Sequence, residues 1–430
     1  MSEKITIERK GGLRGEIVIP GDKSISHRAV IVGSLAEGKT SIIGLSKGDD
    51  NKRTINAFRM MGIEIEKIST DQFIINGKGI HGLNEPEDVV NSGNSGTTMR
   101  LLTGLLSGQR FFSVITGDIS LRGRPMKRVV EPLGLMGAKI WGRKNGNFAP
   151  LVINGRKLAP INYVSPVASA QVKTAILLAG LYADGDTTVV EPSLSRDHTE
   201  RIFGFFGADL KREGTAVTVC GGTKFEGRDI EIPGDVSSAA FFIVAALIVP
   251  DSEVLLKRVG INPSRIGILE ILEKMGAKVE VLRKDETWGE PIADILVKTS
   301  HLRGVTIEGD MIPKAIDEFP ILSVAASVAE GETVIRDARE LRVKETDRIA
   351  AIVGELRKFG VEVEEFDDGM RISGRDNLEG CECKSFGDHR VAMSLIVAGL
   401  RASGRTIVED TACIGTSFPE FQDMFFSLMR

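Results

Sequence analysis

Residues 16–24 read Glu-Ile-Val-Ile-Pro-Gly-Asp-Lys-Ser, and residues 229–237 read Asp-Ile-Glu-Ile-Pro-Gly-Asp-Val-Ser. Each copy combines a short strand pattern, a Pro-Gly stop, and an Asp or Ser suited to the start of a helix. Because the copies lie in the two halves of the chain, they predict two related domains with crossovers near Gly21 and Gly234. The predicted domains are a discontinuous one, 1–20 plus 234–430, and an inserted one, 21–233.

Two shorter phrases recur between these copies. One is a large apolar residue, Gly, two further residues and an aliphatic residue, found at Met61-Gly62, Met136-Gly137, Phe206-Gly207, Met275-Gly276 and Phe359-Gly360. The other is a helix end, then Gly, then a strand rich in Thr and Val, found at Gly38, Gly108, Gly185, Gly331 and Gly404, with Asp251 replacing Gly in one more copy. Each phrase is typical of a helix C-cap followed by a strand. Together they divide the chain into six units of about 72 residues, three per domain, and predict a mixed α/β fold.

The composition limits the classes of partner. The 430 residues contain 55 Lys and Arg against 59 Asp and Glu, for a formal net charge of −4. No overall positive field favours nucleic acid or anionic lipid, so anion binding must be local. The four cysteines form no disulfide framework, the N-terminal stretch lacks a signal-peptide pattern, and the apolar run at 239–250 is too short to span a membrane. We expect a cytoplasmic protein with neither nucleic acid nor membrane as a partner.

In the first half, cations and small polar residues stand at predicted helix starts, where free N–H groups and the helix dipole favour an anion. Lys23 and Arg28 have no counterparts in the second copy of the long phrase, which has Val236 in place of Lys23, and Ser24 lies beside Lys23. Further candidates follow at Gly93–Arg100, at Arg124 and Arg128, and at Ser169 and Gln171 within Ser165–Lys173. Ordinary capping explains the serine-rich starts nearly as well. Arg196 either contacts substrate or belongs to a capping box, Ser195–Glu200, followed by a solvated face.

In the second half, Lys344 and Arg348 are four residues apart, so on a helix they would share a face with Glu345 beside them. The same pattern is also typical of a salt-bridged surface. Asp317 precedes an apolar segment and could be a cap, and Arg390 opens another helix. Asp317 and Glu345 are the acidic residues best placed to move protons. Cations from both halves together with these carboxylates indicate group transfer between phosphorylated or carboxylated small molecules.

The motifs resemble the 5-enolpyruvylshikimate-3-phosphate (EPSP) synthase family, whose members are 3-phosphoshikimate 1-carboxyvinyltransferases (EC 2.5.1.19). The matching segments occur in the family's order over nearly the whole chain: Gly21–Arg28, Gly93–Thr97, Arg124–Met126, Ser169–Gln171, Asp317, Arg342–Arg348 and Asp388–Arg390. The resemblance implies a two-domain inside-out α/β barrel with six βαβαββ repeats. It also implies an active site in the interdomain cleft and a monomeric protein.

The resemblance further implies transfer of the enolpyruvyl group of phosphoenolpyruvate to the 5-hydroxyl of shikimate 3-phosphate, with release of phosphate, in the shikimate pathway to chorismate and the aromatic amino acids. No metal or organic cofactor is implied. Asp317 would take the hydroxyl proton, Glu345 would supply and recover the C3 proton, and Lys23 would lie close to the same path. Shikimate 3-phosphate would contact Lys23, Ser24, Arg28, Ser169, Gln171, Arg196, Asp317 and Lys344. Phosphoenolpyruvate would contact Lys23, Gly96, Arg124, Gln171, Arg348 and Arg390.

Two positions depart from the family pattern, and two alternatives stay open. Thr416 stands where many members have Lys, and Glu340 where many have Asn, so one contact to each substrate is uncertain. UDP-N-acetylglucosamine enolpyruvyl transferase shares the fold and the donor, but the loop 117–123 lacks that family's usual reactive cysteine. A non-catalytic six-repeat scaffold would spread positive charge over all units, whereas here the unusual residues are confined to particular units.

Overall fold

A computed structural model describes residues 3–8 and 11–429. The helices are α1 (Lys23–Leu35), α2 (Asp49–Met60), α3 (Gly96–Ser107), α4 (Lys127–Leu135), α5 (Arg143–Gly146), α6 (Ala170–Gly180), α7 (His198–Phe205), α8 (Val236–Ile248), α9 (Gly267–Lys274), α10 (Met311–Ala315), α11 (Phe319–Ser327), α12 (Arg348–Lys358), α13 (His389–Gly399) and α14 (Phe421–Ser427). Three 3₁₀ segments are η1 (Leu121–Gly123), η2 (Arg339–Val343) and η3 (Thr411–Thr416).

The strands are short and alternate with these helices. In chain order they are β1 (Lys4–Glu8), β2 (Arg14–Val18), β3 (Ala36–Ile43), β4 (Glu64–Lys67), β5 (Phe73–Lys78), β6 (Val90–Asn91), β7 (Phe112–Thr116), β8 (Lys139–Gly142), β9 (Phe148–Asn154), β10 (Asn162–Val164), β11 (Asp186–Val190), β12 (Leu210–Glu213), β13 (Ala216–Cys220), β14 (Phe225–Glu226), β15 (Asp229–Glu231), β16 (Glu253–Gly260), β17 (Lys278–Thr287), β18 (Glu290–Lys298), β19 (Thr306–Ile307), β20 (Glu332–Ile335), β21 (Glu362–Phe366), β22 (Gly369–Ser373), β23 (Leu378–Glu379), β24 (Glu382–Lys384), β25 (Ala402–Ser403) and β26 (Arg405–Glu409).

The chain divides into two compact units. The discontinuous unit comprises Met1–Asp22, Pro233–Glu286 and Pro291–Arg430, and the inserted unit comprises Lys23–Ile232 and Thr287–Glu290. These boundaries lie within a few residues of the predicted crossovers at Gly21 and Gly234. No sequence pattern indicated that Thr287–Glu290, where β17 turns into β18, belong to the inserted unit.

Within each unit, one strand order recurs. In the inserted unit, β6-β7-β9-β8 and β10-β11-β13-β12 each place a parallel neighbour on one side of the central strand and an antiparallel hairpin on the other. β14 and β15 are the parallel neighbours of β3 in the third sheet, which continues with β5 and β4. The discontinuous unit repeats the order in β2-β16-β18-β17 and β19-β20-β22-β21, and a three-stranded sheet, β24-β26-β1, shows its first part. The predicted mixed α/β class is confirmed, while the barrel geometry stays a prediction.

Each unit buries three apolar helices. In the inserted unit these are α1, α3 and α6, and in the discontinuous unit they are α8, α11 and α13, with nearly every residue of each helix buried. A helix that is apolar all round must lie in a core, which explains why the apolar run at 239–250 became α8. α3 packs on α6, and α11 packs on both α8 and α13. Among the described residues, no helix combines the length and apolar character needed to cross a membrane.

The predicted glycine caps adopt the backbone that their position requires. Gly62, Gly137, Gly207, Gly276 and Gly360 all have φ between +79° and +92°. Asp251, which replaces Gly in the second series, also has a positive φ of 58°. Gly108 is the exception with φ −92°. A Cβ at Gly108 would lie 2.5 Å from the Tyr182 ring, so close packing rather than left-handed backbone requires glycine there.

Candidate active site

The start of α1 is a concentration of positive charge in the inserted unit. The Lys23 ammonium lies 3.1 Å from Asp50 Oδ2. Arg28 is buried, and its guanidinium donates to the Ser24 carbonyl oxygen (2.9 Å) and to the hydroxyls of Thr174 (3.0 Å) and Thr199 (2.7 Å). These three acceptors orient the Arg28 guanidinium, and the helix N-terminus together with Lys23 and Arg28 makes the first turns of α1 favourable for an anion.

The pKa of His27 is affected by the same two cations. Its side chain is fully buried, and Nδ1 lies 2.7 Å from Thr54 Oγ1. Burial, followed by the charges of Lys23 and Arg28, lowers the pKa of His27 well below its ordinary value. The imidazole is therefore neutral at physiological pH, and the cations at this helix start are Lys23 and Arg28.

The start of α3 brings two further guanidinium groups together. Ser95 caps the helix by accepting the Thr98 N–H at 3.1 Å. A Cβ on Gly96 would lie 3.0 Å from one nitrogen of Arg100 and 3.5 Å from one of Arg124, so both groups lie against this glycine. Arg124 donates to the Asn94 side chain at 2.5 Å. Two guanidinium groups beside the positive end of a helix dipole form a ready site for a carboxylate or phosphate.

Gln171 links α3 to α6. Its amide oxygen accepts from Arg100 at 2.6 Å, and its amide nitrogen donates to Thr97 at 2.9 Å. Ser169 is the N-cap of α6, and its own N–H donates to Glu191 at 3.0 Å. The structure thus brings Gly96, Arg124 and Gln171 together, with Arg100 as the shared neighbour.

Lys173 anchors the start of α6 from inside the core. Its ammonium lies 2.8 Å from Glu191 and 2.7 Å from Glu200, and all three side chains are at most 2% exposed. Glu191 also accepts the hydroxyl of Ser195 at 2.9 Å. This buried ion triad therefore fixes both Ser169 and the segment before α7.

The predicted capping box at Ser195–Glu200 is wrong. The N-cap of α7 is Asp197, which makes no side-chain cap bond, and His198, Thr199 and Glu200 are buried rather than solvated. Glu200 pairs with Lys173 inside the protein, because a buried cation needs a counter-charge more than the helix start needs a cap. Arg196 lies half-buried in the loop just before α7.

Asp197, His198 and Glu290 have potential metal-ligand atoms within 4.8 Å of one another, all buried. Asp197 accepts from Arg201 at 2.9 Å and lies 3.1 Å from Arg212, and His198 Nδ1 lies 2.7 Å from Glu290. Arginine charges already compensate the carboxylate, so the cluster has the character of an ion-pair network rather than a cation site.

In the discontinuous unit, Arg348 organises the predicted acid–base residues. It is 2% exposed, donates twice to Asp388 (2.8 and 3.3 Å) and donates once to Glu345 (2.7 Å). Asp317 lies 3.5 Å from Arg348 and 3.3 Å from Lys344. Burial disfavours the charge of Arg348, yet Asp388, Glu345 and Asp317 outweigh it and raise its pKa above the ordinary value. These contacts hold three carboxylates, those of Asp317, Glu345 and Asp388, beside the two cations Lys344 and Arg348.

Two local predictions about this cluster are wrong. Lys344 and Arg348 do not share a helix face, because Lys344 is the extended residue after η2 and α12 begins only at Arg348, capped by Asp347. The residues meet instead through Asp317, which is contacted by both. Asp317 is not a helix cap either, since the N-cap of α11 is Glu318 and makes no side-chain cap bond.

Arg390 extends the cluster from the start of α13. Its guanidinium donates to the Asp317 carbonyl oxygen at 2.9 Å and to Glu318 at 3.4 Å, and its N–H donates to the capping Asp388 at 2.8 Å. Asp388 therefore positions both Arg348 and Arg390. Glu340, in η2, is exposed, and the Thr416 hydroxyl, in η3, donates to the Cys413 carbonyl oxygen at 2.7 Å.

Several contact residues had not been singled out as site residues. Arg100, Lys173 and Asp388 stand at the ends of motifs in the sequence, and no sequence pattern assigns any of them a substrate contact. A signal existed for the two cations, since each is a single charge inside an apolar helix and must find a partner. No comparable signal pointed to Asp50 or Glu191.

Comparison with known proteins places these motifs in one family. The family described as EPSP synthase (3-phosphoshikimate 1-carboxyvinyltransferase) matches residues 7–425. A 3-phosphoshikimate 1-carboxyvinyltransferase of Geotalea uraniireducens is 60% identical over 416 residues, 97% of each chain, and one of Syntrophotalea carbinolica is 55% identical over 428 residues, covering 100% of this chain and 99% of the relative. The structure of an EPSP synthase from Acinetobacter baumannii is similar, with a TM-score of 0.89 and 46% identity over 99% of this chain and 98% of that one. The chain belongs to the EPSP synthase family.

Proposed function

We propose that this chain transfers the enolpyruvyl group of phosphoenolpyruvate to the 5-hydroxyl of shikimate 3-phosphate with Asp317, Glu345 and Lys23 as its catalytic residues. As a family member it is an enzyme, a 3-phosphoshikimate 1-carboxyvinyltransferase (EC 2.5.1.19) of the shikimate pathway. The roles of individual residues are the proposal. The observation that carries it is the contact cluster in which Arg348 meets both Asp317 and Glu345.

Phosphoenolpyruvate carries a carboxylate and a phosphate, so its site needs several cations. We assign it to Lys23, Gly96, Arg124, Gln171, Arg348 and Arg390. Two features support the assignment: the guanidinium groups lying against Gly96, and the orientation of Arg348 and Arg390 by Asp388. Such preoriented donors stabilise an anion without reorganising when it binds.

Shikimate 3-phosphate combines a phosphate, a carboxylate and hydroxyl groups. We assign it to Lys23, Ser24, Arg28, Ser169, Gln171, Arg196, Asp317 and Lys344. The buried Arg28 supports this assignment. Its positive charge lies at the start of α1, where the free helix N–H groups and a nearby cation can bind a phosphate together. Gln171 is oriented by Arg100 and Thr97.

The reaction needs one proton removed and another added. Asp317 accepts the 5-hydroxyl proton as the oxygen attacks C2 of phosphoenolpyruvate, and Glu345 donates a proton to C3. Phosphate then leaves the tetrahedral intermediate while Glu345 recovers the proton from C3. The ion pairs of Asp317 with Lys344 and Arg348 stabilise the carboxylate form, the form that can accept a proton.

Phosphate release tests the acceptor. The protein should release phosphate from phosphoenolpyruvate with shikimate 3-phosphate and not with UDP-N-acetylglucosamine. Release with the nucleotide sugar alone would keep the donor assignment and overturn the acceptor residues. No release with either acceptor, in protein shown to be folded by circular dichroism, would favour the scaffold alternative.

Two charge-removing variants test the acid–base roles. Asp317→Asn and Glu345→Gln should fold normally and lose about a hundredfold or more in kcat, the usual contribution of a general acid or base. Glu364→Gln is the matched control, because Glu364 pairs with Arg371 on β22 and has no proposed role. Turnover equal to that of the control in either variant would contradict the role of that carboxylate. A cytoplasmic location, a monomeric state and a shared site between the domains stay predictions.

A further inference from the structure

Two of the four cysteines lie two residues apart in the discontinuous unit. Cys381 directly precedes β24 and Cys383 lies within it, and their sulfur atoms are 3.4 Å apart. Both are free thiols, and Cys383 is fully buried whereas Cys381 is partly exposed. Residues two apart on an extended chain point to the same face, which explains the contact. The proposed reaction uses neither thiol.

The backbone spacing permits a bond between these sulfur atoms. An extended chain rises about 3.3 Å per residue, so the two Cα atoms are about 6.6 Å apart, near the upper end of the range that disulfides span. Closing the bond requires the sulfur atoms to approach to about 2 Å, which draws the two Cα atoms together. The oxidised pair would therefore be attainable at the cost of shortening this stretch of chain.

We propose that Cys381 and Cys383 form a reversible thiol–disulfide couple that a low-molecular-weight disulfide oxidises. Cys381 is the attacking thiol because it is the more accessible of the two. The hydrogen bond from Cys383 lowers the pKa of Cys381, and the same bond, with burial, raises the pKa of Cys383. The thiolate is the nucleophile in such exchange, so accessibility and acidity favour the same sulfur.

The exchange balances in two steps. The Cys381 thiolate attacks one sulfur of the small disulfide, breaks its S–S bond and releases one thiolate, leaving a mixed disulfide on Cys381. Cys383 loses its proton and attacks Cys381 Sγ, which releases the second small thiolate and forms the Cys381–Cys383 bond. The protein loses two electrons and two protons, and the small disulfide becomes two thiols.

The couple lies next to the proposed phosphoenolpyruvate contacts along the chain. The Cys381 carbonyl oxygen accepts from the Ile407 N–H at 2.9 Å, and five residues beyond Cys383 the N–H of Asp388 donates to the Ser385 carbonyl oxygen at 3.0 Å. We expect shortening of the chain at Cys381–Cys383 to shift the turn Ser385–Asp388, which directly follows β24. Since Asp388 orients Arg348, oxidation should weaken phosphoenolpyruvate binding; this consequence, unlike the couple itself, rests on the proposed function.

Peptide mass measurement tests the couple in the full chain. The protein is incubated with oxidised glutathione, quenched with an alkylating agent and cleaved with trypsin. Both cysteines fall in one tryptic peptide, Asp376–Lys384, because cleavage follows Arg375 and Lys384. We expect this peptide to be unalkylated and about 2 Da lighter than its reduced form, and dithiothreitol to restore both thiols.

Three variants give the matched comparison. Cys383→Ser should stop at a stable glutathione adduct on Cys381, and Cys381→Ser should leave Cys383 unmodified. Cys220→Ser, in the inserted unit, should behave as the parent protein. A persistent adduct on Cys381 in the parent, or oxidation of Cys220 or Cys413 ahead of the pair, would overturn the couple.

Kinetics test the link to the site. The oxidised protein should show a KM for phosphoenolpyruvate raised about twofold or more, reversed by dithiothreitol. An unchanged KM, once peptide mass shows the disulfide complete, would overturn the link. The peptide measurement does not depend on enzymatic activity, so failure of the couple and failure of the proposed function give different results.

Discussion

Replacing Lys173 by Met should destabilise the inserted unit by about 3–5 kcal/mol. The Lys173 ammonium lies 2.8 Å from Glu191 and 2.7 Å from Glu200, with all three side chains at most 2% exposed. Methionine retains an unbranched apolar chain of similar length, so the change removes the charge with little loss of packing. Two buried carboxylates then remain without their cation, the situation in which breaking a buried ion pair is most costly.

Glu191 and Glu200 should contribute unequally to the loss of stability in Lys173→Met. Glu191 keeps hydrogen bonds from the Ser169 N–H (3.0 Å) and the Ser195 hydroxyl (2.9 Å). Glu200 Oε2 has no hydrogen-bond partner within the described part of the chain, so Glu200 should account for the larger share. A second substitution, Glu200→Leu, removes that charge and should recover more than half of the lost stability, because the two residues are coupled neighbours.

Urea unfolding followed by tryptophan fluorescence is the appropriate assay. Both tryptophans of the chain, Trp141 and Trp288, belong to the inserted unit, so the signal reports on that unit. Lys157→Met is the matched control, because Lys157 pairs with Asp184 at 3.0 Å while their side chains are 77% and 80% exposed. An exposed pair contributes at most about 1 kcal/mol. If Lys173→Met unfolds at the same urea concentration as the control, the buried triad does not stabilise the unit and the reasoning fails.

Three further predictions concern pH and the proposed substrate contacts. Because the pKa of His27 is lowered in the folded state by burial, Lys23 and Arg28, its contribution to stability is complete above about pH 6.5 and is lost as pH falls below that, by up to about 1.4 kcal/mol per pH unit. His27→Asn should abolish this loss in urea unfolding at about pH 7.5 and pH 5.5, and an equal loss in both proteins would assign the pH dependence to other groups. Gly96→Ala places a methyl group 3.0 Å from Arg100 and 3.5 Å from Arg124, so the KM for phosphoenolpyruvate in the phosphate-release assay should rise about tenfold, with that for shikimate 3-phosphate unchanged; an equal rise in both would contradict a donor-specific role. Arg348→Lys loses the double contact with Asp388 and should lower kcat/KM about tenfold or more, whereas parental kinetics in a folded variant would count against the proposed role of Arg348.

Helix ends were predictable because their physics is local. A glycine after a large apolar residue predicted left-handed backbone at Gly62 and Gly276, and both have φ above +80°. Asp251 keeps the same backbone without glycine. Gly108 shows where local reasoning stops, since that glycine is required by the ring of Tyr182, a residue distant in sequence.

The sequence suggested that Asp317, Glu345, Lys344 and Arg348 lie close together, which their contacts show, but it did not indicate their local structure. A four-residue spacing suggested a single helix for Lys344 and Arg348, but η2 and a capped restart at Asp347 separate them. Asp317 was expected as a possible cap because it precedes an apolar segment. Its carboxylate instead meets the two cations, an outcome set by how distant segments pack and absent from any local pattern.

A buried cation can be identified from the sequence, whereas the carboxylate that pairs with it cannot. Lys173 interrupts the apolar helix α6, and burying its charge without a partner would cost far more than a helix can supply, so a counter-charge had to exist. Arg348 differs, because it begins the amphipathic helix α12, which carries other charges, and its partner Asp388 lies 40 residues away. Which acidic residue pairs with each cation depends on the topology, because the chain contains many Asp and Glu residues that could serve as the counter-charge. A single charge inside an apolar helix is therefore the signal to search for, and the structure is needed to name its partner.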